Sequence, residues 1–117
     1  MFRHEKWQRR LDDILDRLAQ IDEALKGRTF DDFGRDAVLV AALERHFSVI
    51  GEAVNFIPET VRREFPAVPW QDMYGMRNII VHGYDVVSLP VLWDSARSDM
   101  PQLKKTILAI KEKYGDG

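Results

Sequence analysis

Cysteine is absent from the 117 residues, which excludes disulfide scaffolds, thiolate zinc sites and cysteine nucleophiles together. Long apolar runs are missing too. The longest, Ala37 to Leu43, is seven residues, against the ~20 that a bilayer-spanning helix needs, so no membrane partner is expected. Met1-Phe2-Arg3-His4-Glu5 opens a charged stretch with no apolar h-region. No secretory signal is expected from it, and the chain reads as cytoplasmic. Surplus positive charge is also lacking. Seventeen Lys and Arg face nineteen Asp and Glu, for a formal net charge of −2 and a pI of about 5.9. That balance does not suit a surface coated in nucleic acid. Strand-like alternation, internal repeats and low-complexity tracts do not occur. His4 and His46 have no mutual spacing that suggests a metal site. Asp12-Asp13 reads as a polar helix face and Asp31-Asp32 as a helix-start signal, so no metal or cofactor is expected.

What is present is helical periodicity over a chain that is 45% hydrophobic, enough for one domain, residues 1–117, around a single core. Trp7, Leu11, Ile14, Leu18, Ile21 and Leu25 alternate steps of four and three, which predicts a long first helix ended by Gly27. Arg28 to Gly34 reads as a polar connection pinned to the core by Phe30 and Phe33. Val40, Leu43, Phe47, Ile50, Val54 and Ile57 predict a second long helix, limited by Pro58. Gly51 lies in its middle, where glycine costs ~1 kcal/mol against alanine. Close approach of another backbone or a bulky ring is the expected compensation. A short helical turn follows Pro58. Pro69 suits the first turn of a helix over Trp70 to His82, and Ser88 the N-cap of a last helix. Pro101 falls inside that last helix and predicts a kink or two abutting segments. The expected fold is all-α: an up-and-down four- to five-helix bundle.

The segment Met76-Arg77-Asn78-Ile79-Ile80-Val81-His82-Gly83-Tyr84 carries the chemistry-bearing residues. At about 100° per residue, Met76, Ile79 and Ile80 share one face and define the expected core side. Asn78 and His82 fall together on the opposite face with Tyr74 beside them, and Arg77 lies on the flank. Trp70 and Val81 add apolar surface away from the core stripe. Such a helix is apolar over too much of its circumference to be covered on one side only. In a domain this small the simplest second cover is another copy of the chain, through a two-fold contact. Arg77 and His82, about 140° apart, would flank a groove within one chain. A homodimer would gather two such sets into a composite cationic site. Asn78, one turn from His82, is placed to hydrogen-bond the imidazole and fix its tautomer. Tyr84 can reach the same groove from just past the helix end.

Arg77-x4-His82-x-Tyr84 resembles the motif of HEPN domains of the HepT toxin family. The resemblance covers most of the chain: Ile50-Gly51-Glu52-Ala53, Phe65-Pro66-x-x-Pro69-Trp70, Gly75-Met76-Arg77-Asn78, Leu92-Trp93 and Met100-Pro101-Gln102-Leu103 all follow the family pattern in order. An isolated R-x4-H arises often by chance; six ordered blocks do not. The acidic residue usual shortly after the tyrosine is displaced, with Asp85 coming next and Ser88 further on. The resemblance implies a HEPN-like bundle, homodimerisation through the motif helix and metal-independent endoribonuclease activity on an RNA substrate. It further implies a HepT/MntA-type toxin–antitoxin system. There a minimal nucleotidyltransferase antitoxin transfers AMP from ATP to the motif tyrosine, here Tyr84.

The residue types fit that chemistry. Cleaving RNA without a metal needs a base for the 2′-hydroxyl, a proton for the leaving 5′-oxygen and positive charge on the transition state. An imidazole such as His82, titrating near ~6.5 when unperturbed, serves as either base or acid. Arg77 offers a permanently charged planar fork for the phosphate. Arg77 is also a candidate ion-pair partner of Glu52 or Asp72. Glu52 either buttresses Arg77 or the dimer contact, or is simply solvated. Arg9-Arg10 and Arg62-Arg63 are basic pairs able to touch RNA phosphates, though such pairs are mostly solvated surface. The competing reading is a non-catalytic, nucleotidyltransferase-associated helical subunit whose polar groove binds substrate or nucleotide.

Overall fold

A computed structural model describes residues 6–82 and 88–115, except for the His82 side chain. Tyr84, Gly83 and Asp85 therefore lie outside the described residues. The order is α1 (Gln8–Leu25), α2 (Phe30–Gly34), α3 (Ala37–Val54), α4 (Glu59–Arg63), α5 (Trp70–His82), α6 (Leu89–Asp94), a π turn (Ser95–Asp99) and α7 (Met100–Tyr114). The fold is all-α, as the periodicity predicts. No helix among the described residues is long and apolar enough to cross a membrane.

The central helix is α3, which packs against α1 on one side and α5 on the other, while α7 lies along α1. The predicted stripe of α1 is buried: Leu11, Ile14, Leu18, Ile21 and Leu25. These meet Leu43, Phe47, Ile50 and Val54 of α3 and Leu103, Ile107 and Ile110 of α7 in one core. Truncating a fully buried residue such as Leu103 to alanine would cost about 2–5 kcal/mol. Gly27, at φ +72°, closes α1 in the left-handed conformation that glycine adopts without strain.

The segment from Arg28 to Gly34 is more than the polar connection its composition suggests. Asp32 N–H donates to Thr29 Oγ1 at 3.1 Å and Thr29 N–H donates back to Asp32 Oδ2 at 3.0 Å, a reciprocal capping box that starts α2. Thr29, through its backbone N–H first and its hydroxyl second, holds the Asp32 carboxyl below its usual range. Phe33 is fully buried against Trp93, ring centroids 5.6 Å apart, so the short helix is pinned by its one buried aromatic. Asp36 then caps α3 by accepting from Leu39 N–H at 3.0 Å.

Pro58 does not set the end of α3, which stops at Val54. Trp70 fixes the entry to α5: its indole N–H donates to the carbonyls of Arg62 (3.1 Å) and Phe65 (3.0 Å), tying the end of α4 to the start of α5. Ser88 occupies the N-cap of α6 without a side-chain capping hydrogen bond. The last helical run is divided just before Pro101 into α6 and α7, the abutting segments expected from the proline. The helical backbone runs on through the π turn, whose Met100 N–H bonds to Ser95 carbonyl. Proline has no N–H to offer the Arg97 carbonyl, and the wider turn just before it takes up the mismatch.

The seam between α1 and α3 holds a buried histidine. Arg17 Nη1 lies 3.2 Å from His46 Nδ1. A guanidinium only donates, so Nδ1 is the acceptor and the ring is neutral with its proton on Nε2. Burial first, and Arg17 second, push the His46 pKa down, against a weaker opposite pull from Asp16. A folded-state pKa below the unfolded one means that the unfolded chain binds the proton first as the pH falls. His46 thus favours the folded state fully above about pH 6.5 and progressively less as the pH drops through its lower folded pKa. Urea unfolding at pH 7.5 and 5.5 should show His46→Gln losing less stability across that interval than the native sequence. Equal losses would mean that the histidine is not held neutral.

Candidate functional site

Gly51 brings the motif helix onto α3. A Cβ at this position would lie 2.5 Å from Arg77 Cβ and 2.8 Å from the Met73 carbonyl oxygen, closer than packed atoms come. The close approach expected from a glycine in mid-helix is therefore present, and it is made by the backbone and the Arg77 stem of α5. It also turns α5 about its axis relative to the sequence expectation. Met73 and Trp70 are buried, whereas Ile79, assigned to the core face by its hydrophobicity, is 40% exposed. Trp70, read as apolar surface away from the core, lies in it. The glycine notch receives the Cβ and Cγ of Arg77, so the buried face centres between Met73 and Arg77 and not on Met76 and Ile79. Val81 is exposed as expected.

Seated this way, the Arg77 side chain runs over α3 with only 22% of its surface exposed. Its Nη2 pairs with Glu52 Oε1 at 2.8 Å, and its Nη1 donates to Asn78 Oδ1 at 2.8 Å. The Tyr74 ring lies on another side, its centroid 5.7 Å from the guanidinium carbon, within cation–π range. Of the two carboxylates considered as partners of Arg77, Glu52 is the one engaged. Nearly half of the Glu52 side chain is exposed, so the pair adds at most ~1 kcal/mol to stability. Its larger effect is on direction: two hydrogen bonds at fixed angles hold a long, flexible side chain in one pose. Asn78 spends its oxygen on Arg77. The bond from Asn78 to the His82 imidazole lies outside the described residues, as does Tyr84; His82, by its backbone, is the last described residue of α5.

Beside this network is a cleft of about 210 Å³ between α1, α3 and α5. Arg77, Glu52 and Val81, the residue before His82, line it together with Arg10 of α1 and Arg45 of α3. Sequence reasoning brought Arg77, Glu52 and Asn78 to attention, and the fold gathers these three together. It missed Arg45. The available signal was its spacing from Ser48 and Glu52 along the polar edge of α3, which three- and four-residue steps place in a line.

Comparison with known proteins identifies the lineage. The sequence model described as "Ribonuclease HepT-like" matches residues 14–110. The chain belongs to the HepT-like ribonuclease family. A protein of Caldanaerobacter subterraneus subsp. tengcongensis named "Putative RNase" is 35% identical over 103 residues, 88% of this chain and 92% of the relative. A Thermococcus cleftensis protein named "Probable ribonuclease HepT" is 36% identical over 94 residues, 80% of this chain and 86% of the relative. A longer Methanocaldococcus jannaschii protein, "Gamma-glutamylcyclotransferase and putative RNase", is 35% identical over 103 residues; the match covers 88% of this chain and 46% of that protein. No solved structure matches.

Replacing Gly51 by alanine weighs the contact against helix propensity. Propensity alone favours alanine by ~1 kcal/mol, whereas overpacking costs about 1–3 kcal/mol. The geometry predicts that overpacking prevails, because one of the two close neighbours is a backbone carbonyl. Gly51→Ala should lower the thermal midpoint; a raised midpoint would show that α5 does not sit this close to α3.

Proposed function

We propose that this protein is a metal-independent endoribonuclease, the toxin of a HepT/MntA-type toxin–antitoxin pair, acting in the cytoplasm as a homodimer. The observation that carries the reading is Arg77. In a chain of a ribonuclease family, its guanidinium is aimed by Glu52 and Asn78 into a cleft that Val81, next to His82, borders. The dimer is supported by the outward side of α5, where exposed Ile79 and Val81 flank half-buried Asn78 and Gly75. A second copy seated there buries that apolar surface and brings two motif sets together.

In this reading His82 of one chain accepts the proton of the RNA 2′-hydroxyl. The 2′-oxygen forms a bond to phosphorus as the bond from phosphorus to the 5′-oxygen breaks. His82 of the partner subunit, entering protonated, donates to the departing 5′-oxygen. Arg77 neutralises the charge that builds on the phosphoryl oxygens, a role suited to its bidentate fork. Asn78 and Glu52 keep it in place. The products are a 2′,3′-cyclic phosphate and a 5′-hydroxyl, and no water is consumed. Silencing follows from the same geometry. A nucleotidyltransferase antitoxin joins the AMP of ATP to the Tyr84 hydroxyl and releases pyrophosphate. The added phosphate pairs with Arg77, and the nucleoside fills the space RNA would use.

Purified protein free of tyrosine modification should cut single-stranded RNA in the presence of a chelator, leaving cyclic-phosphate ends. His82→Ala should slow this by about 10²–10⁴-fold and Arg77→Ala by about 10²–10³-fold, each without loss of fold by circular dichroism. Intact RNA after prolonged incubation with the native sequence would remove the nuclease reading.

The regulatory half has its own test. Co-expression with the neighbouring nucleotidyltransferase should raise the intact mass in steps of one AMP, and Tyr84→Phe should abolish the steps. Their persistence in Tyr84→Phe would place the modification elsewhere.

A further inference from the structure

The cleft beside Arg77 is lined by residues of α1, α3 and α5, and two more arginines are among them, Arg45 of α3 and Arg10 of α1. Its carboxylates are Asp13 and Glu52. Glu52 is committed to Arg77 at 2.8 Å. Asp13 lies 3.8 Å from Arg10 Nη1, and the Arg10 guanidinium is stacked over the Phe56 ring, 4.0 Å from its centroid. Arg45 is exposed and has no carboxylate partner among the described residues. Three guanidiniums against two carboxylates make this cleft locally cationic in a chain whose formal charge is −2. The rest of the lining is Ser48 and the apolar Val49, Ala53 and Val81. Guanidiniums set beside small apolar side chains suit a phosphodiester with its ribose.

We propose that this cleft takes the RNA phosphate next along the strand from the scissile one, with Arg45 as its principal contact and Arg10 beside it. The proposal rests on the ribonuclease reading and extends it from the reacting phosphate to the strand leading there. Arg10 is held flat by Phe56 and Asp13, so its charge is fixed in position before RNA arrives. Arg45 supplies a guanidinium that gives up no ion pair when it binds. Glu52 separates the two tasks: it holds Arg77 for the reacting phosphate and, by its own charge, disfavours a second phosphate close to Arg77.

The test is equilibrium binding of a fluorescent 2′-O-methyl oligoribonucleotide, whose blocked 2′-oxygen prevents cleavage, at several salt concentrations. Arg45→Gln is compared with Lys105→Gln, which removes one exposed charge from α7, a helix that contributes nothing to the cleft. Arg45→Gln should weaken binding about three- to tenfold. It should also make the plot of log affinity against log salt shallower by about 0.7, the loss of one single-strand phosphate contact. Lys105→Gln should bind as the native sequence does. Equal losses in the two variants, or an unchanged slope in Arg45→Gln, would overturn the proposal. Cleavage of unmodified RNA measured in parallel separates the two ideas. RNA that is cut, but bound equally well by Arg45→Gln, sinks the strand path alone. RNA bound through Arg45 but never cut supports the path and sinks the nuclease. No RNA binding by the native sequence overturns both.

Discussion

A hydrogen atom in place of a methyl group at Gly51 sets how close α5 can come to α3, and much of the molecule follows from that separation. With α5 drawn in, the Arg77 stem lies in the notch and its guanidinium emerges beside Glu52, one residue further along α3. A Cβ would lift α5 by several tenths of an ångström or more and move the fork out of reach of its carboxylate. The same approach buries Met73 and Trp70 and leaves Ile79 outward. Position 51 therefore couples the interior packing to the direction of a functional side chain. The helix-propensity cost of glycine is small beside what that coupling arranges.

Most of the framework was legible because helices announce themselves through spacing. The stripe of α1 from Leu11 to Leu25 is buried residue for residue, and Gly27 ends the helix with the backbone angle its type permits. The motif helix begins where Pro69 suggests. The notch at Gly51 was also visible, since a glycine in the middle of an apolar helix calls for a close neighbour. The rotation of α5 was not. Hydrophobic periodicity weighs Ile79 as core and Arg77 as flank, and it cannot know that a partner helix offers a groove shaped for the methylene stem of an arginine. The start of α2 was legible in Asp31-Asp32, read as a helix-start signal, whereas the part of Thr29 shows only in its reciprocal hydrogen bonds with Asp32.

Within the site, Glu52 was one of two carboxylates that spacing allowed for Arg77, and only the packing of α3 on α5 chooses between them. Arg45 escaped notice because a single arginine on an exposed helix edge looks like any other. It acquires meaning from Arg10, thirty-five residues away in sequence, which lines the same cleft from α1. The near-neutral composition then reads differently. Charge that sums to almost nothing over the surface is still arranged, with guanidiniums gathered in one cleft and their carboxylate partners placed to aim or fix them.

The π turn at Ser95–Asp99 is a correction of phase. Leu92, Ala96 and Met100 are buried at steps of four residues, after which Leu103, Ile107 and Ile110 resume the ordinary three-and-four alternation. On an α-helix each step of four overshoots by about 40°, so two in succession would swing the stripe almost one residue around the axis. A turn that closes one residue later absorbs that overshoot, and the apolar line stays directed at α1 and α3 for the whole length of the chain's last helical run. The extra residue thus works like a leap day, inserted once so that two cycles of unequal length stay aligned. A one-residue deletion in α6 would shift that count, and α7 would present Lys104 to the core in place of Leu103.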